Sequence, residues 1–262
     1  IPQAAFYGGS FTAIPVEQQE ELLAVTDEFF AAGKISSVRI STRPDAIDEE
    51  ILSRMKRHHV TVIELGAQSM DDTVLQNARR GHTAVDTARA ASLIQQAGIS
   101  LILQTMAGLP GDTRETVRYT AQCIAACKPD GVRIYPVAVL PNTPLYDDWQ
   151  AGRYQPLDVE TAAVWCADML EIFEREHIPV IRVGLNPTEE LDSTVAAGAY
   201  HPAMGELAYG ELWYRRLCRH IQMTGERTIA VAPRELSRAI GHKKRNLLRL
   251  REQFGAVHIV AQ

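Results

Sequence analysis

Four cysteines in 262 residues (Cys123, Cys127, Cys166 and Cys218) are too few for a disulfide framework in a chain this long. No apolar run approaches the roughly 18 residues that a transmembrane helix needs, and no secretory leader opens the chain. These absences point to the reducing cytoplasm and to no membrane partner. An initiating Met is lacking too. The chain opens on Ile1-Pro2-Gln3-Ala4-Ala5-Phe6-Tyr7, which reads as a strand already under way, so the natural start is expected upstream. What is present is ordinary for a globular protein: 46% apolar and 23% charged residues, enough to bury a full core and incompatible with disorder or a collagen repeat.

The net charge of −5 hides an asymmetry. Residues 215–262 carry 11 Lys/Arg against 3 Asp/Glu, a surplus of +8, and the remainder carries 16 against 29, or −13. A basic tail on an acidic body suggests an anionic partner for the tail.

Short apolar runs alternate with amphipathic ones through residue 185. Strands are expected at 4–7, 37–41, 61–65, 99–106, 132–137 and 180–183. Helices are expected from Pro15 to Gly33, at 48–58, at 71–96 with a break near Gly81, at 114–126 and at 160–176. Leu22, Leu23, Phe29 and Phe30 fall at helical spacing in the first helix. Six strands alternating with helices predict βα units and a parallel sheet. Gly8-Gly9-Ser10, Ser41-Thr42-Arg43, Gln68-Ser69, Gly108-Leu109-Pro110-Gly111 and Tyr135-Pro136 all follow strand C-termini, the edge that carries ligands in such sheets. Residues 186–204 read as a long loop. The tail then reads β-α-turn-α-β: 228–231, 233–239, the turn Ile240-Gly241-His242-Lys243-Lys244, 246–254 and 257–260, preceded by a helix over 206–221.

Glycine at positions 8 and 9 lets backbone groups approach a ligand closely. The turn is not a P-loop, since no Gly-Lys-Ser/Thr follows. It is joined by Ile40-Ser41-Thr42-Arg43-Pro44-Asp45, Glu64-Leu65-Gly66-Ala67-Gln68-Ser69, Arg79-Arg80-Gly81-His82-Thr83 and Gly108-Leu109-Pro110-Gly111-Asp112-Thr113, in order on successive strands. Over residues 4–210 this set resembles the radical S-adenosylmethionine (SAM) enzymes, in the branch of the Elongator catalytic subunit and its stand-alone bacterial relatives.

The resemblance implies an α/β fold built on a partial (β/α)6 TIM-type barrel over residues 1–205. It implies that Gly8, Gly9 and Ser10 form the turn that binds the SAM amino group, and that Ser41 and Arg43 face the cofactor. Gln68 would lie near its ribose and methionyl part, and Arg80 would pair with its carboxylate, where a planar fork suits the ligand. Gln104 matches a ribose-contacting position that is often acidic in relatives. Gly108 to Pro110 would run along the adenine, and Tyr135-Pro136 would form the next strand end. The resemblance also implies a [4Fe–4S] cluster on three cysteines after the first strand, with an external reductant. That cysteine loop is expected upstream of Ile1. Cys123 and Cys127, four apart in a helix, read as packing residues, as do Cys166 and Cys218.

His58 and His59 read as a solvent-facing helix end, and His201 as a turn or a substrate contact. Glu189-Glu190 reads as a solvated charge pair, and His82 falls at the cofactor edge. Residues 206–262 resemble a small α+β KH-type module, which grips RNA backbone at a Gly-x-x-Gly turn. Here the turn reads Gly241-His242-Lys243-Lys244, with Arg245 after it, and the basic residues at a helix start suit phosphate. The first reading is therefore a radical SAM enzyme acting on RNA, in particular tRNA. A coproporphyrinogen-oxidase-like enzyme on a small molecule and a non-catalytic RNA-binding protein stand as alternatives.

Overall fold

A computed structural model describes residues 1–262, with the side chain of Glu190 outside the described residues. In chain order the elements are β1 (Gln3–Phe6), α1 (Val16–Ala31), β2 (Ser37–Thr42), α2 (Glu49–Arg57), β3 (Val60–Gln68), α3 (Asp72–Asn77), α4 (Ala84–Gln96), β4 (Ser100–Ala107), α5 (Arg114–Ala126) and β5 (Gly131–Pro136). They continue as β6 (Ala138–Val139), α6 (Pro144–Gln150), α7 (Val159–Arg175), β7 (Val180–Val183), α8 (Glu189–Thr194), β8 (Ala197–Gly198) and α9 (Met204–Thr224). The chain closes with β9 (Thr228–Val231), α10 (Leu236–Ile240), α11 (Arg245–Phe254) and β10 (His258–Ala261).

Six strands form one sheet in the order β1-β2-β3-β4-β5-β7, a parallel half-barrel with helices. Sequential strands are neighbours because each crossover helix returns the chain in the same direction. The central strands are buried on both faces and read as continuous apolar runs, with Ile63, Leu65, Leu101 and Leu103 fully buried. The helices begin where the sequence supplies caps: side chains of Asp48, Asp71, Thr83, Thr113, Thr143 and Thr188 each accept a backbone N–H one turn on. Of the apolar positions expected on α1, Leu23 is buried whereas Leu22 and Phe29 stay more than 40% exposed.

Contacts divide the chain into two units, residues 1–134 with 175–181, and residues 135–174 with 182–262. The second unit differs from expectation at 186–204, which is not a plain loop. Thr188 caps α8, and β8 pairs antiparallel with β6, Ala138 opposite Gly198. A Cβ at Gly198 would meet the Val137 carbonyl oxygen at 2.7 Å, so glycine permits that pairing. A two-residue bridge to a partner some 60 positions away leaves no periodic pattern to read.

The tail shows the expected β-α-turn-α-β order, with β9 and β10 parallel. Leu217 and Ile221 from α9, Ile229 and Val231 from β9, Ala239, Leu250 and Val257 form a core of their own. Five of its eleven cations are engaged by carboxylates outside residues 215–262: Arg215 with Asp168 (2.6 Å) and Glu211, Arg216 with Glu174, Arg219 with Glu171, Arg245 with Glu160 and Arg249 with Glu211 (2.7 Å). Part of the charge asymmetry is thus answered within the same unit.

Candidate functional site

The glycine turn after β1 has φ of +97° at Gly8 and +76° at Gly9, and a Cβ at either would meet nothing within 4 Å. The turn is open, with its backbone accessible. Ser10 follows in extended conformation and opens a short 3-10 turn. Ser41, half-buried in β2, stands opposite Glu64 in β3, and Gln104 in β4 stands opposite Gly66.

Gln68 ends β3 at a bulge, in left-handed conformation (φ +63°), and its carbonyl accepts from Thr105 Oγ1 at 3.0 Å. Its side chain is buried, and its Oε1 has no hydrogen-bond partner among the described residues. Leaving a buried carbonyl unpartnered costs about 1–3 kcal/mol, a cost that a donor reaching this atom would remove. Gly66 leaves the space above it: a Cβ there would come within 2.7 Å of Gln68 Nε2 and 3.8 Å of Arg80 Nη2.

Arg80 makes no ion pair among the described residues, and its pKa is lowered, first by burial and then by the Arg43 guanidinium nearby. Arg43 itself is held by Asp45 at 2.5 Å and passes under Gly81, where a Cβ would meet its Nη2 at 2.8 Å. The structure therefore brings Arg43, Gln68 and Arg80 together around two glycines. Across β4, the Gly108 N–H donates to Asp112 (3.0 Å), and burial raises the Asp112 carboxyl above its ordinary pKa. Pro110 is half-buried beside it. Tyr135 and Pro136 end β5 and belong to the second unit.

His82 is structural as well as near the edge. Its Nε2–H donates to the Ala67 carbonyl (3.1 Å) from a buried position, and burial lowers its pKa. A lowered folded value means the unfolded chain binds the proton more readily. Stability is then present above the ordinary histidine pKa of about 6.5 and lost as pH falls through the lower folded value. Calorimetric scans between pH 7 and 5 should show this fall, and His82→Gln should flatten it.

His58 is not solvent-facing. Its side chain is 14% exposed, and its ring nitrogens contact Asp27 (2.6 Å) and Glu20 (2.8 Å), while His59 stacks on Phe30. The two carboxylates come from α1, 31 and 38 positions away, which local reading does not reach. His201 Nδ1 accepts from Ala203 N–H, closing a turn. In the tail, Gly241 (φ +80°) is buried against Asn246, to which a Cβ would come within 2.7 Å. Lys243 and Lys244 are exposed with no carboxylate partner among the described residues, and Arg245 meets Glu160 at 3.6 Å. Asn246, not anticipated, anchors this turn by donating to the Gly210 and Ala239 carbonyls.

Sequence reasoning also missed a cluster inside the first unit. Glu64, 2% exposed, accepts through one oxygen from Tyr7 Oη (2.9 Å), Arg39 Nη1 (2.6 Å) and Arg133 Nη2 (3.1 Å). The one available signal was a lone acid within the apolar run of β3.

An unpaired half-buried guanidinium, an orphaned amide oxygen and side-chain-free glycines fit a ligand that brings a carboxylate and polar donors. S-adenosylmethionine is such a ligand. The cysteines do not fit an iron–sulfur cluster. Cys123 lies in α5 and Cys127 caps its end, Cys166 is buried with its thiol pushed up to about 12, and no group of three or more His, Cys, Asp or Glu side chains placed to hold a metal ion occurs among the described residues.

The radical SAM superfamily profile matches residues 1–124, and that of the radical SAM C-terminal domain matches residues 129–214. The chain belongs to the radical SAM superfamily, whose cofactors are SAM and a [4Fe–4S] cluster, and is related within it to Elongator-type enzymes. It is 36% identical over 126 residues to a tRNA uridine(34) acetyltransferase of Methanocaldococcus jannaschii, covering 47% of this chain and 23% of that protein. It is 27% identical to human Elongator complex protein 3, covering 78% and 40%. The chain thus spans about a quarter to two-fifths of these relatives. Among solved structures, the Elp3 of Methanocaldococcus infernus with an N-terminal deletion shares the fold (TM-score 0.68, 24% identity, 85% of this chain and 54% of that one).

Proposed function

We propose that this chain binds SAM at the C-terminal edge of β1 to β4 and forms part of a cytoplasmic enzyme that modifies tRNA with the help of an external reductant. The observation that carries the reading is the Arg80 guanidinium, with no ion pair among the described residues, beside the Gln68 oxygen, which has no hydrogen bond among them. On this reading Arg80 takes the SAM carboxylate, Gln68 Oε1 accepts from its hydroxyl or ammonium groups, and the Gly8-Gly9-Ser10 turn offers backbone carbonyls to the ammonium. Ser41, Arg43 and Gln104 border the same space, with Gly108 to Pro110 along the adenine. SAM supplies the 5′-deoxyadenosyl group on which the superfamily's radical chemistry draws.

Residues 206–262 act as a module appended to the barrel core of residues 1–205, and the turn at Gly241 presents Lys243, Lys244 and Arg245 to RNA phosphates. Relatives named for tRNA modification support this substrate class.

Equilibrium dialysis of the full chain against labelled SAM tests the first part; saturable binding is expected, and its absence would overturn the reading. For the tail, replacing both lysines (Lys243→Glu with Lys244→Glu) should weaken tRNA binding about tenfold at 0.1 M salt. It should also reduce the slope of log K against log salt by about two. Unchanged affinity and slope would remove RNA from the account of the tail.

A further inference from the structure

Tyr7 sits between β1 and the Gly8-Gly9 turn with 56% of its surface exposed. Exposed aromatic rings are common, but this one is held. Its hydroxyl donates to Glu64 Oε1 at 2.9 Å, and that carboxylate is itself fixed from β2 and β5 by Arg39 and Arg133. Three donors converge on one buried oxygen, so the carboxylate has little freedom, and the ring it anchors has little more. Burial and the Glu64 carboxylate both raise the Tyr7 pKa, which keeps the phenol protonated as the donor. The result is a rigid aromatic surface, open to solvent, next to the glycine turn.

We propose that the Tyr7 ring, anchored by Glu64, is a stacking platform for the nucleobase on which the enzyme acts. The inference rests on the reading of the substrate as RNA. Enzymes that do chemistry on a base take it out of the stack, and an extruded base needs a new surface to lie on. An aromatic side chain already ordered provides one at small entropic cost. The cofactor's adenine is the weaker candidate for this ring. On the proposed placement it lies along Gly108 to Pro110 at the end of β4, three inter-strand spacings from β1, or about 14 Å.

The test uses the full chain with uridine 5′-monophosphate as probe, followed by proton NMR. In the parent protein the H5 and H6 resonances should move upfield saturably, as ring current above an aromatic face requires. Tyr7→Leu should lower the probe's affinity about tenfold and abolish that shift, as expected for a lost base–aromatic stack. Tyr7→Phe keeps the ring and should retain the upfield direction with a smaller limiting shift, which separates lost stacking from misfolding.

SAM affinity, measured in parallel, should stay within about twofold in both variants. The proposal is overturned if the upfield shift persists in Tyr7→Leu, or if the parent protein binds SAM but shows no shift at millimolar probe. It is also overturned if Tyr7→Leu weakens SAM as much as the probe, since the ring would then serve the cofactor. Failure of the RNA reading itself would show differently, as absence of tRNA binding by the parent chain.

Discussion

Glu64→Gln is expected to destabilise the first unit by about 3–5 kcal/mol, the range for removing one partner from a buried ion pair. The glutamine fills the same volume, so the loss comes from charge rather than from a cavity. Glu64 is 2% exposed, and Arg39 and Arg133 are 21% and 17% exposed at their side chains, so water can compensate little of what the carboxylate supplied. The amide oxygen can still accept one of the three hydrogen bonds, but both guanidiniums lose the charge that Glu64 supplied. At roughly 2–4 °C per kcal/mol for a protein of this size, the midpoint should fall by about 10 °C. Differential scanning calorimetry is the suitable probe, because Trp149, Trp165 and Trp213 all lie in the second unit. Arg175→Ala is the control. Its pair with Glu176 is exposed and should be worth less than about 1 kcal/mol. A Glu64→Gln midpoint within 2 °C of the parent would mean the cluster is not the tie it is taken to be.

Arg80→Ala should weaken SAM binding by about 30-fold or more, in line with the roughly 2–5 kcal/mol lost when one member of a buried charge pair is truncated. The guanidinium already bears the cost of partial burial with no ion pair among the described residues, so a ligand carboxylate gains the full benefit of meeting it. Arg80→Lys should recover only part of the affinity, since a point charge replaces a planar fork. Arg43→Ala should matter less, because Asp45 already holds that side chain. The discriminating probe is 5′-methylthioadenosine, which lacks the carboxylate. Its affinity should be nearly the same for the parent and for Arg80→Ala. Equal losses for both ligands would show that Arg80 does not read the carboxylate.

The sequence by itself determined the alternation of strands and helices, because that information is local. Apolar periodicity distinguishes β3 from α4 within a dozen residues, and Asp48, Thr83 and Thr113 mark helix starts by bonding one turn ahead. The loops at the strand ends were legible for the same reason, since Gly8-Gly9 and Gly108 punctuate the chain where the backbone must turn. The tail's β-α-turn-α-β order was equally local. Tertiary structure alone decided what those loops and charges meet. Tyr7, Arg39 and Arg133 reach Glu64 across 57, 25 and 69 positions, and no pattern within a helix or a strand encodes such a meeting. The basic tail read as eleven cations awaiting an anion. Folding pairs five of them with carboxylates on α7 and α9, leaving Lys243 and Lys244 among those still open. A charge count sums along the chain, whereas electrostatic compensation acts through space over a few ångströms.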